Sequence, residues 1–250
     1  MVFLENGLPT GIEWNVSYDN KTTGEAPQLS ATYAEYDDGA NVFNFYDNFA
    51  GTTLSSKWTS DSSGTTVTYS VNNGITFSAA TTGTTAEYYI LHSTSSFPEN
   101  SIVESYQPSI PAAISGIRSY TPGFSTSTTE TGIFDNSNSP NIAFSAGMNG
   151  HITWMVGQGD SSAEWYYGTS MTNPPTGILG IYYTGSTNYW YEGYTQFTSS
   201  STDTPTGSVY ASLGLWAQSS ATFSIATSWI RVRAYPPNDV MPSVSFGSVS

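Results

Sequence analysis

The chain has 250 residues, of which 38% are hydrophobic, 15% aromatic and only 10% charged. Nineteen carboxylates against five Lys or Arg give a net charge of −14, which repels phosphate backbones and excludes nucleic acid as a partner. There is no Cys, so disulfide, thiolate-metal and Cys-nucleophile readings are closed, and no apolar run approaches the ~18 residues of a membrane span.

Eighteen Tyr, twelve Phe and seven Trp supply large buried areas per residue, so a sizeable core is possible despite the polar average. The remainder is rich in Ser, Thr, Gly and Asn, with no periodic stretch long enough for a helix, and reads as all-β. Such a chain holds one large sandwich, or a sandwich with a short appended unit. With so few bases, little positive charge accumulates once the carboxylates protonate below about pH 3. That suits a protein of acidic or hot surroundings. Residues 1–7 have neither a basic region nor a long apolar segment and read as no signal peptide.

Residues 1–30 read as a separate β-hairpin unit. Val2 and Leu4 alternate, a Gly/Pro turn covers 7–11, and Ile12, Trp14, Val16 and Tyr18 alternate again. Two glycosylation sequons, Asn15-Val16-Ser17 and Asn20-Lys21-Thr22, make Asn15 and Asn20 candidate attachment sites. Residues 3–16 also resemble a repeat of secreted proteins of acidophilic archaea, F-x-E-x-G-L-P-x-G-x-x-W-x-V.

The rest, 31–250, reads as one sandwich. Strands are expected over 67–71 and 75–77 around an Asn72-Asn73-Gly74 turn, among the strongest short hairpin signals. Others follow at 88–91, 102–106, 141–146, 151–156, 177–183, 189–191 and 208–216. In that last run Val209, Ala211, Leu213 and Leu215 point one way, and Tyr210, Ser212 and Trp216 the other. Polar segments at 121–140, 157–176 and 196–207 read as loops. The final strand, 227–235, alternates strictly: Ile230, Val232 and Ala234 on one face, Trp229, Arg231, Arg233 and Tyr235 on the other.

Phe43, Phe45, Tyr46, Asp47, Asn48 and Phe49, followed by Leu54 and Trp58, a hairpin, the terminal Trp229–Tyr235 run and Val244-Ser245-Phe246-Gly247, form an ordered set. This set resembles a family of archaeal and bacterial surface proteins in which a domain of unknown function runs into a concanavalin-A-like, laminin-G-like jelly roll. The resemblance implies a two-sheet antiparallel jelly-roll sandwich and says little about activity.

Candidate chemistry is sparse. A glycosidase needs two carboxylates about 5–9 Å apart, and no E-x-D-x-x-E run exists here, although carboxylates from different strands could still meet. An acid protease would draw on Gln158 and Glu164, and a Ser-His-Asp triad on His92 or His151; neither has a supporting motif. Asp135, Asn136 and Asn138 offer oxygen ligands for calcium, against the plainer reading of a polar loop. Otherwise no cofactor is expected. The aromatic runs are the most suggestive feature. Trp165, Tyr167 and Trp190, with Trp229, Arg231 and Arg233, are candidate glycan contacts, since sugar rings stack on aromatic faces.

The reading that follows is a non-catalytic extracellular, cell-surface module for assembly or adhesion. Its partners would be copies of itself, neighbouring surface proteins or glycans. The alternatives are a viral capsid or appendage protein and, third, a glycan-hydrolysing enzyme of the same fold.

Overall fold

The computed structural model describes residues 43–129, 141–146, 154–159, 165–170, 175, 177–202, 204–218 and 220–235. All belong to the compact unit Phe43–Ser250, which is separate from Met1–Val42. The expected hairpin of residues 1–30, with Asn15 and Asn20, lies outside the described residues. So does the expected calcium loop with Asp135, Asn136 and Asn138.

Among the described residues the chain is all-β. Its strands are β1 (Phe45–Asp47), β2 (Trp58–Ser63), β3 (Val67–Val71), β4 (Ile75–Thr81), β5 (Glu87–Phe97), β6 (Ser101–Gln107), β7 (Ile117–Ser125) and β8 (Asn141–Ala146). There follow β9 (Trp154–Gly159), β10 (Trp165–Ser170), β11 (Gly177–Tyr183), β12 (Asn188–Glu192), β13 (Thr195–Ser200), β14 (Val209–Ala217), β15 (Ala221–Thr227) and β16 (Trp229–Ala234). One sheet runs β1-β16-β6-β11-β12-β13 and a second β10-β9-β8-β7-β14-β5-β2. A small third sheet, β15-β4-β3, joins them. Their inner faces share one core: Val103, Ile181, Ile230 and Val232 from the first, Leu91, Phe124, Phe144 and Leu213 from the second, Phe77 and Ile225 from the third. This is the expected jelly-roll sandwich, with a third small sheet sealing the core.

Side-chain period two explains which strands the sequence reveals. In β16 the aliphatics Ile230 and Val232 are fully buried, while Arg231 and Arg233 lie on the other side. The strand sits between β1 and β6, with Val232 opposite both Phe45 and Val103. The β3–β4 hairpin turns through Asn73 at φ 49° and Gly74 at φ 147°, conformations that Asn and Gly tolerate best. The three expected loops contain strand. β7 runs on to Ser125, β9 and β10 pair within 157–176, and β13 occupies 195–200. β13 is an edge strand with largely exposed side chains, so it needs no apolar face and its Thr/Gln/Ser composition looks like a loop.

The Phe45–Trp58 motif is a structural knot. Asp47 Oδ1 accepts from the Phe49 N–H (2.7 Å), and Oδ2 accepts from the Ser55 hydroxyl (2.7 Å) and the Trp58 indole N–H (2.8 Å). Phe49 is thereby held at φ 51°, unusual for a bulky residue, with its ring stacked on Trp58. The motif therefore serves the fold.

Candidate functional site

The outer face of the seven-stranded sheet is assembled from β2, β5, β14 and β7 in three cross-strand rows. Ser63, Tyr88, Trp216 and Arg118 form the first, with the Arg118 guanidinium 4.3 Å from the Trp216 ring centre, a cation–π distance. Asp61, Ile90, Gly214 and Tyr120 form the second. Its middle is apolar: Ile90 and Tyr120 are fully buried and cluster with Ala143 and Trp216. Tyr120 lies over Gly123, its ring filling the space that a Cβ there would take, and its hydroxyl donates to the Phe124 carbonyl (3.4 Å). Burial pushes its phenol well above the usual tyrosine range.

Thr59, His92, Ser212 and Gly123 form the third row. Thr59 Oγ1 and His92 Nδ1 are 2.8 Å apart, and the Tyr210 ring approaches His92 edge-on. Burial lowers the imidazole pKa below its ordinary 6.5, and this outweighs the nearby Asp61 charge and the backbone contacts of Ser93 and Thr128, which act to raise it. His92 is therefore neutral at pH 7. Asp61 is the one carboxylate that the described residues of β2, β5, β7, β8 and β14 place on this face. Glu87, which opens β5, instead accepts the N–H groups of Thr65 and Thr66, each at 2.6 Å. The face thus carries one partly exposed carboxylate, Asp61, and one guanidinium, Arg118, around a buried apolar middle.

The outer face of the six-stranded sheet is organised around Glu104. Arg231 Nε donates to its Oε2 (2.7 Å), and Arg233 donates to both oxygens (3.0 Å each). Arg231 also lies between the rings of Phe43 (4.7 Å) and Trp229 (5.0 Å). Burial alone would raise the Glu104 pKa, but the Arg233 hydrogen bonds and the two guanidinium charges outweigh it and hold the carboxyl below its ordinary 4.5. Tyr106 stacks on Trp229 from the neighbouring strand, and Tyr182 stacks between Tyr189 and Tyr235.

The expected glycan contacts are not all brought together. Trp190 is 1% exposed, and its indole N–H crosses the core to the Ala143 carbonyl (3.2 Å). It is a core residue and no platform. In the run Tyr189-Trp190-Tyr191 the period of two sends the middle, largest ring inward. Trp229, Arg231 and Arg233 do share a face, the outer one of the six-stranded sheet, with both arginines ion-paired to Glu104. Trp165 and Tyr167 lie on β10, and their side chains are outside the described residues. Among the described residues no group of three or more His, Cys, Asp or Glu is placed to hold a metal ion, and no helix is long and apolar enough to cross a membrane. Sequence reasoning missed Asp61, Tyr88 and Arg118. The available signal was weak: β2 is a polar edge strand, and Arg118, second in β7, lies in a stretch with no clean alternation.

No protein-family model matches this sequence, and no curated protein is similar to it. Solved structures do share its fold. A beta-1,3-glucanase from Mycobacterium marinum aligns with 76% of this chain and 98% of its own, at 14% identity and a TM-score of 0.56. A Bacillus licheniformis beta-glucanase aligns with 76% of this chain and 97% of its own, at 13% identity and a TM-score of 0.55. The immunostimulatory antigen and pseudo beta-1,3-glucanase of Mycobacterium tuberculosis aligns with 77% and 98%, at 14% and 0.55. These neighbours overturn the expectation of a non-catalytic module for assembly or adhesion, and with it the expectation that the chain is no enzyme. That expectation leaned on the missing single-strand carboxylate run, yet catalytic groups can come from separate strands. At these identities the likeness is one of fold: the chain has the concanavalin-A-like jelly-roll architecture of the beta-glucanases.

Proposed function

We propose that this protein is a glycan-hydrolysing enzyme acting on a neutral β-glucan, with the outer face of the seven-stranded sheet as the surface on which the polysaccharide lies. The observation that carries the reading is that face itself. Asp61 stands there beside the His92–Thr59 pair and the Tyr88–Trp216–Arg118 row, in a sandwich shared with glucanases. Asp61 supplies one carboxylate of the pair that glycoside hydrolysis requires. An extracellular setting fits a polysaccharide substrate and the sequons at Asn15 and Asn20.

Reducing-end release from laminarin, lichenan and cellulose derivatives tests the proposal. The wild-type chain should release sugar from at least one of them, and Asp61→Asn should lose about 10²–10⁴-fold in rate with unchanged melting. Binding without any release by the wild type would contradict it, as would full activity in Asp61→Asn.

A further inference from the structure

Three of the chain's five bases gather at one place. Arg231 and Arg233 project from β16 onto the outer face of the six-stranded sheet, and Lys57 Nζ reaches the Tyr46 carbonyl (2.8 Å) on the adjoining edge strand. Against these three charges, β1, β16 and β6 place one carboxylate on this face, Glu104; Asp47 turns to the other side of β1, into the Ser55 and Trp58 bonds. In a protein of net charge −14 this is, among the described residues, a local excess of positive charge. Arg233, the less buried of the two arginines, spends two of its five N–H donors on Glu104 and keeps the others.

Beside them lies an aromatic platform. Tyr106 is 37% exposed, and its ring runs within 25° of parallel to that of Trp229, with centres 6.2 Å apart. Arg231 packs on Trp229 and so fixes that ring from the side of the ion pair. Past Arg233 the surface continues in the Tyr235–Tyr182–Tyr189 stack. A held platform loses little side-chain entropy when it binds, and guanidinium donors favour carboxylate or sulfate oxygens.

We propose that this face is a second carbohydrate site, selective for an acidic polysaccharide, on the opposite side of the sandwich from Asp61. Sugar rings stack on the exposed Tyr106, and the acidic groups meet Arg233 and Lys57, while the buried Arg231 holds Trp229 and Glu104 in place. The proposal does not depend on hydrolysis at the other face.

Affinity electrophoresis of the full chain through gels containing polygalacturonate, dextran sulfate or neutral laminarin tests it. Polygalacturonate or dextran sulfate should retard the wild type, the stronger of the two naming the acidic group, and added salt should weaken the retardation. Tyr106→Ala, at an exposed position, should bind the acidic gel about tenfold more weakly, with unchanged melting and unchanged laminarin hydrolysis. Asp61→Asn should bind it like the wild type. No retardation by either acidic gel, retardation unchanged in Tyr106→Ala, or equal loss in Asp61→Asn would overturn the proposal.

Discussion

Glu104 accepts three charge-assisted hydrogen bonds with a side chain only 5% exposed. Replacing it leaves two guanidiniums without their counter-charge in a nearly water-free site, and breaking a buried pair of this kind costs about 3–5 kcal/mol. Glu104→Gln should lose about that much in urea unfolding at pH 7. Its depressed pKa also fixes the sign of the pH effect. The stabilisation is fully present above the carboxyl's ordinary 4.5 and is lost as pH falls through the lower folded value. His92 acts in the same direction: its folded pKa is lowered, so its contribution is complete above 6.5 and declines as the solution is acidified. Melting temperature followed from pH 8 to pH 2 should therefore fall in acid, and Glu104→Gln should flatten the part of that fall below pH 4.5. A wild-type profile flat to pH 2 would show that neither group matters. Gly123 makes a steric test on the other face. A methyl there collides with the Tyr120 ring, and Gly123→Ala should cost about 1–3 kcal/mol, the usual range for overpacking a filled site.

At the scale of the strand, β16 carries both halves of the architecture: a buried aliphatic side that closes the core and an outer side that holds the ion pair. Burying Val232 is worth roughly 1.5–3 kcal/mol, and Val232→Asp would force an unpaired charge against Phe45 and Val103. That variant should show no cooperative melting by circular dichroism; a soluble, cooperatively folded product would contradict the assignment. β16 and β14 were legible because clean alternation marks a strand with one buried face. The polar edge strands β2 and β13 were not, since an edge that faces water places little demand on its side chains. The Tyr189–Tyr191 run shows a further limit. Period two says that neighbouring rings diverge, but only the packing decides that Trp190 is the one that fills the core.

For the molecule as a whole, composition already pointed to a sandwich, because aromatics and β-branched residues in short runs have few other ways to bury area. The candidate site was hidden for a topological reason. Asp61, Tyr88 and Trp216 come from three strands far apart in sequence, and they meet only because β5 lies between β2 and β14. The Arg231–Glu104–Arg233 cluster likewise needs the β16–β6 pairing before its carboxylate can be named. The two outer faces differ in charge: Arg231, Arg233 and Lys57 gather at that of the six-stranded sheet, and the other is the proposed glucan surface. Amide chemical-shift mapping of the Asp61→Asn variant with laminarihexaose tests this most directly. Shifts should concentrate on β2, β5 and β14, around residue 61, Tyr88, His92 and Trp216. Shifts confined to β6 and β16, or none at saturating ligand, would contradict the assignment of the seven-stranded sheet as the glucan surface.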